Sequence, residues 1–225
     1  MAILEGRGIV KEYKQGDNSV FALNGVDISF EEGSFVAITG ESGSGKSTLL
    51  NILSGMDVPT EGTVYFQGEE IPKNDKELSK FRANKIGMIF QSFHLLPMLT
   101  AEENLLLPGR FAGNEIPAEE IRKLMKELGL EGREKHLPSE LSGGQQQRVA
   151  IGRGLVNNPR ILFADEPTGN LDKKNSEEIM ELLMRLQKQR KMTLIVVTHS
   201  EKIAELADRR IYMEDGKILR DEVRK

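Results

Sequence analysis

Between residues 35 and 53 the chain passes from an apolar run through a glycine-rich turn into a second apolar run. The order is Phe35-Val36-Ala37-Ile38, then Gly40-Glu41-Ser42-Gly43-Ser44-Gly45-Lys46-Ser47-Thr48, then Leu49-Leu50-Asn51-Ile52-Leu53. Strand, turn and helix in that order form the context that a phosphate-binding loop requires. Glycines let consecutive backbone N–H groups approach an anion, and the following helix adds its positive N-terminal end. Gly40, Ser42, Gly43, Ser44, Gly45 and Thr48 are therefore expected to build the nucleotide cradle. Lys46 would reach the β- and γ-phosphates, and the Ser47 hydroxyl would ligate Mg²⁺. A merely flexible Gly/Ser turn would need neither the Lys-Ser pair nor the apolar flanks. A nucleoside triphosphate is the expected ligand, and an α/β core is the expected fold.

At 225 residues the chain suits one large α/β domain with room for an inserted subdomain. Hydrophobic residues make up 38% and charged residues 29%, which fits a packed chain and not a disordered one. The absence of cysteine excludes disulfides and thiolate metal sites. A net charge of −4 without a long Lys/Arg block argues against nucleic acid as a partner. No apolar run approaches the roughly 20 residues that span a bilayer, and Met1–Arg7 lacks signal-peptide character. The expected location is cytoplasmic, peripheral on the inner face of the cell membrane if the partner is a membrane protein.

Along the chain, Ile3–Tyr13 and the alternating run Val20–Phe30 are expected strands around a polar turn at Gln15–Asn18. Thr63–Phe66 forms another short strand, and Asp75–Arg82 a short helix with Asp75 near its N-cap. Lys85–Phe90 returns to strand and ends at Gln91. From Ser92 to Pro138 strand patterns vanish, and Ala118–Leu128 carries helical periodicity closed by Gly129. This middle portion, roughly 92–157 with the helix opened by Ser142, is expected to be a helical subdomain inserted into a single domain spanning 1–225. Arg160–Ala164 and Thr193–Val197 are buried strands flanking an amphipathic helix at Lys174–Gln189. Arg210–Arg220 is expected to be a hairpin turning at Asp215-Gly216.

Four apolar strands end at chemistry. They lead to the phosphate loop, to Gln91, to Asp165-Glu166 and to Thr198-His199. Ligands of parallel α/β sheets bind outside the carboxyl ends of the strands. Asp165 is the expected Mg²⁺ partner, directly or through water, and the ion should keep it charged. Glu166 is the expected general base, and His199 the expected sensor of the γ-phosphate. His94 and His136 lack such neighbours and are expected to be surface or packing residues.

Ser142-Gly143-Gly144-Gln145 fits a capped helix start, with Ser142 and Gln145 as a capping box. Two glycines in a first turn cost roughly 1 kcal/mol each against alanine, which suits a helix end that must approach an anion. One small domain does not easily wrap two helix N-termini around one phosphate. A second copy of the chain would. Tyr13, between the first two strands, would stack on adenine or cover the sheet edge.

Taken together these segments resemble the nucleotide-binding domain of ATP-binding cassette (ABC) proteins, over nearly the whole chain and in order. Tyr13 matches the aromatic A-loop, Gly40–Thr48 Walker A and Gln91 the Q-loop. Leu141–Gln145 matches the signature, Ile161–Glu166 Walker B, Asn170-Leu171-Asp172 the D-loop and His199 the H-loop. Phe90–Pro97, Leu141–Arg148 and Ala164–Asp172 are similar to the subgroup of macrolide-export, lipoprotein-release and bacitracin-type peptide-export ATPases. The resemblance implies the ABC ATPase fold: a mostly parallel core with an antiparallel β-subdomain and the helical insertion. It implies ATP and Mg²⁺, with Gln91 in a catalytic and metal-ligating role. It also implies an ATP-bound homodimer in which Ser142–Gln145 and the D-loop Asp172 face the partner's nucleotide. Separate integral membrane permease subunits would then be driven, contacted near Gln91–Leu99.

The resemblance leaves two alternatives. A non-transport ABC ATPase acting on DNA or the ribosome usually carries long coiled-coil insertions or tandem cassettes, neither of which is present. A small-molecule P-loop kinase has no use for the Ser142–Gln145 segment. One departure stands out. Gly152 and Gly154 lie inside the helix where the family commonly has alanines, and are expected to weaken it by about 1 kcal/mol each.

Overall fold

A computed structural model describes residues 2–15 and 18–224. Gly16 and Asp17, the centre of the expected polar turn, lie outside the described residues. The strands β1 (Ala2–Gln15), β2 (Asn18–Glu31), β4 (Glu61–Phe66) and β5 (Glu69–Glu70) form an antiparallel sheet in the order β2-β1-β4-β5. A six-stranded sheet joins β3 (Phe35–Gly40), β6 (Ile86–Ile89), β7 (Ile161–Asp165), β8 (Thr193–Val197), β9 (Arg209–Glu214) and β10 (Lys217–Val223). Its order is β10-β9-β3-β8-β7-β6, parallel except for the β9–β10 hairpin.

Why the central strands are continuously apolar follows from their two covered faces. Phe35, Ala37, Leu162, Ala164, Leu194 and Val196 enter one core. Their neighbours Val36, Ile38, Ile161, Phe163, Ile195 and Val197 enter the other. A strand buried on both sides loses the apolar–polar alternation that marks a half-exposed one. The second core is closed by α1 (Lys46–Leu53) and the antiparallel sheet, through Leu49, Leu50, Leu53, Ile3 and Phe30. The first is closed by α6 (Lys173–Arg190) and by helices that precede β7. Each such side chain contributes roughly 1.5–3 kcal/mol on full burial.

After α2 (Asp75–Lys85) and β6, the chain to β7 is helical: α3 (Ala101–Ala112), α4 (Ala118–Glu127), a 3-10 turn at Pro138–Glu140, and α5 (Gly143–Leu155). Asn74, one residue before Asp75, caps α2, its side chain accepting from the Glu77 N–H at 3.0 Å. α3 opens with a Thr100–Glu103 capping box and contains Pro108. Inside it the fully buried Asn104 ties down the preceding loop. Its amide accepts from Leu96 N–H at 2.7 Å and donates to Leu96, Leu99 and Thr100 carbonyls at 3.1, 2.9 and 3.1 Å. Leu96 and Met98 are thereby held outward, Met98 at 71% exposure.

The glycines inside α5 have a packing reason. A Cβ on Gly152 would sit 2.5 Å from Leu128 Cδ1 and 2.7 Å from Leu105 Cδ1. On Gly154 it would press within 3.3 Å of Leu162 and the Met88 carbonyl. The propensity lost along the helix is therefore set against a closer approach to α3 and β6. Short α7 (Glu201–Ala204) follows β8. Among the described residues no helix is long and apolar enough to cross a membrane.

Candidate active site

The phosphate loop leaves β3 and enters α1 at Gly45, whose φ is +97°. A Cβ there would lie 2.3 Å from the Ala22 carbonyl, so β2 packs directly against the loop backbone. Helix α1 has no side-chain cap and no acidic residue in its first turn, which leaves its N–H groups and positive end free for an anion. Lys46, only 5% exposed, folds back into the loop. Its Nζ donates to the carbonyls of Gly40 and Glu41 at 3.0 and 2.6 Å and to Ser44 Oγ at 3.3 Å. Burial lowers the Lys46 pKa, opposed by the charges of Glu166 and Asp165.

Opposite stand the ends of β7 and β8. Ser47 Oγ donates to Asp165 Oδ1 at 3.4 Å. Burial raises the Asp165 pKa, countered by that hydrogen bond and by the Lys46 and His199 charges. Glu166 has a positive φ of 46°, held by its N–H to the Val197 carbonyl at 2.9 Å and by its carbonyl, which accepts from Gly169 N–H at 3.0 Å. Its side chain is 17% exposed. Thr198 Oγ1 donates to Oε2 at 3.4 Å, while buried Oε1 has no hydrogen-bond partner and lies 3.7 Å from His199 Nε2. Burial raises the Glu166 pKa; the His199 charge and the His199 N–H pull it back. Ser42, Gly43, Gly45, Lys46, Ser47 and Thr48 share one cavity of about 240 Å³ with Asp165, Glu166 and His199. A cationic cradle thus faces two carboxylates and an imidazole across a space of phosphate size.

Other expected site residues lie outside that cavity. Gln91 follows β6 and packs its amide against Gly169, where a Cβ would be 2.8 Å from Nε2; Asn170 Nδ2 donates to its carbonyl at 3.0 Å. Tyr13 is 42% exposed on β1, its hydroxyl donating to Asp57 Oδ2 at 3.1 Å and its ring centroid 5.2 Å from Lys11 Nζ. Lys11 in turn binds Asp57 Oδ1 at 2.8 Å. Ser142 caps α5, with Gln145 N–H donating to its Oγ at 3.3 Å and Gln145 Oε1 accepting from Ser142 N–H at 2.9 Å. Gly143 and Gly144 pack beside Leu171 and Asn175. Asp172 caps α6, accepting from Asn175 N–H at 3.0 Å, and that bond helps hold its pKa down. His94 stacks at 5.1 Å from Phe90, and His136 pairs with Arg133. Sequence reasoning passed over Ala22, Asp57, Thr198 and Gln147. None carries a local motif; each acquires its place only when distant segments meet.

A sequence profile described as ABC transporter matches residues 23–169. The chain belongs to the ABC transporter family. As a member it binds ATP and is an ATPase. It is 45% identical over 223 residues to the lipoprotein-releasing system ATP-binding protein LolD of Geobacter metallireducens, covering 98% of this chain and 99% of that protein. It is 47% identical over 221 residues to the macrolide export ATP-binding/permease protein MacB of Bdellovibrio bacteriovorus. There the match covers 98% of this chain but only 34% of the relative, so this ABC chain spans about a third of that protein. Among solved structures, the dimeric bacterial ABC transporter cassette MJ0796 superposes with a TM-score of 0.89 at 45% identity, covering 98% of each chain. The same cassette, bound to ADP and phosphate after hydrolysis, matches equally well. The ABC ATPase fold expected from the motifs is the fold found.

Proposed function

We propose that the chain is the energising subunit of an ABC-type membrane complex: ATP closes a homodimer that drives separate integral membrane permease subunits. One observation carries the reading. The cavity gathers Lys46, Ser47, Asp165, Glu166 and His199, whereas the signature Ser142–Gln145 lies outside it. A signature that cannot reach its own nucleotide has work to do on another chain's. In this reading 1–225 is one cassette and the helical stretch of about 92–157 is the inserted lobe that presents the signature and Asp172 to the partner.

Within each half-site, the loop N–H groups and Lys46 bind the β- and γ-phosphates. Glu166 takes the proton of the attacking water, and His199 orients that carboxylate and contacts the γ-phosphate. The burial that raises the Glu166 pKa makes it a better base for as long as it stays ionised. Tyr13 offers its exposed ring to adenine while Asp57 holds its hydroxyl. Gln91 would engage metal and water on leaving its rest against Gly169.

Magnesium suits the donor set. Ser47 and Asp165 present a hydroxyl and a carboxylate oxygen 3.4 Å apart, and Mg²⁺ sites of this kind use one or two protein oxygens plus phosphates and water. When bound, the ion neutralises charge developing between the β- and γ-phosphates.

The permease contact is proposed at Gln91–Leu99. Leu96 and Met98 project there, and an apolar cleft of about 370 Å³ opens nearby between Phe90, Pro108 and Met88. Export, lipoprotein release or peptide-antibiotic resistance is the proposed class of work, as the printed names of the relatives suggest. The chain would then sit on the cytoplasmic face of the cell membrane, without nucleic acid. Affinity purification from detergent-solubilised host membranes tests this. A stoichiometric multi-spanning partner is expected; a ribosomal or DNA-bound partner would overturn the transport assignment.

A further inference from the structure

The buried amide of Gln147 faces the backbone beside Glu166. Gln147 lies one turn after the signature on α5 and is fully buried. Its Nε2 donates to the carbonyl of Pro167, the residue that follows Glu166. Its Oε1 is buried with no partner. A carbonyl oxygen can only accept, so the amide must turn its NH₂ toward Pro167 and leave its own oxygen unpaired. An apolar side chain of similar length would fill the space without an orphaned oxygen. What it would lack is the donor.

We infer that Gln147 is a positioning residue for hydrolysis: it links the signature helix to the strained turn that aims the Glu166 carboxylate. Non-glycine residues at positive φ persist where surrounding contacts over-determine them, and Glu166 sits at +46°. Two backbone bonds grip that residue, from its N–H to Val197 and from Gly169 N–H to its carbonyl. Among the described residues, Gln147 supplies the one side-chain hydrogen bond to the backbone of 166–168. The rest of the first two turns of α5 bears on the same loop: Gly143 contacts Leu171, and a Cβ on Gly144 would lie 2.7 Å from Asn175 Oδ1. A shift of α5, such as a nucleotide on a second chain would cause by engaging Ser142–Gln145, reaches Glu166 through this bond. The inference rests on the proposed role of Glu166 as base.

Steady-state ATPase kinetics and nucleotide-binding titrations of four variants test it. Gln147→Met keeps the length and removes the donor. Gln187→Met is the control, because Gln187 is also buried and donates to a backbone carbonyl, that of Gly33 at 2.6 Å, far from Glu166. Glu166→Gln and the Glu166→Gln/Gln147→Met double variant complete the cycle. Gln147→Met should lose about 10- to 100-fold in kcat with KM and ATP affinity within about twofold, the range expected for slight misplacement of a catalytic group. Gln187→Met should keep its kcat, and the double variant should be no slower than Glu166→Gln alone. Should Gln147→Met fail to fold, Gln147→Leu makes the same comparison. A Gln147 variant whose kcat falls no further than that of Gln187→Met, beside an inactive Glu166→Gln, overturns the link alone. A fully active Glu166→Gln overturns the base assignment itself.

Discussion

His199 Nε2 stands 3.7 Å from Glu166 Oε1, a buried carboxylate oxygen without a hydrogen bond. The pair closes one wall of the phosphate cavity, and the Glu166 carboxylate is held from its other oxygen by Thr198. Glu166→Gln should therefore remove hydrolysis by two orders of magnitude or more while leaving ATP binding intact, at about 3 kcal/mol of transition-state stabilisation. His199→Ala should lower kcat with a smaller change in ATP affinity. Steady-state kinetics beside equilibrium nucleotide titration checks both.

Burial gives the same carboxyl a stability signature. Its folded pKa is raised above the ordinary 4.5, so the folded state binds more protons than the unfolded one between the two values. The wild-type fold thus loses stability as pH rises through that window, and above it carries the full cost of a buried charge. Glu166→Gln removes the cost. Melts in the absence of nucleotide and metal should show the variant more stable than wild type at pH 8, with the gap narrowing below about pH 4.5. A gap that does not change with pH would contradict the assignment of burial as the cause.

Tyr13 separates ring from hydroxyl. If the ring stacks on adenine, Tyr13→Ala should weaken ATP binding by about 1–3 kcal/mol. Tyr13→Phe keeps the ring and loses only the bond to Asp57, so it should lie within a few-fold of wild type. Calorimetric titration of both variants decides between stacking and edge cover.

Gly152→Ala sets two opposed effects against each other. Alanine gains about 1 kcal/mol of helix propensity, but its methyl meets Leu128 and Leu105 well inside contact distance, and overpacking costs about 1–3 kcal/mol. The expected result is a net loss of stability in urea denaturation. A stabilised variant would mean that the α3–α5 contact yields easily.

The permease surface is tested by Met98→Asp. Met98 is largely exposed and makes no part of the phosphate cavity. The variant should keep its basal ATPase rate and lose co-purification with the membrane partner.

Much of this site was legible because its chemistry is written contiguously. The phosphate loop, Asp165-Glu166 and His199 each follow an apolar strand, and a parallel sheet must bring those ends together. Helix α3 was harder to see. Pro108 sits inside it and interrupts the pattern, although the Thr100–Glu103 box marks its start. The hairpin at Asp215-Gly216 was readable, but not that β9 would pair parallel with β3 and enter the main sheet, since register between distant strands leaves no local mark. Gly152 looked like a weakness because propensity is local and the approach of Leu105 and Leu128 is not. Gln147 and Thr198 were invisible for the same reason: a polar residue shows its purpose only when its buried partner is known.

The central claim is that ATP joins two of these chains and that Glu166 releases them by hydrolysis. Light scattering on a sizing column, with Glu166→Gln in ATP and Mg²⁺, tests it most directly. The account predicts a dimer retaining two ATP, reverting to monomer in ADP. A monomer in ATP, with nucleotide bound and unhydrolysed, would contradict it.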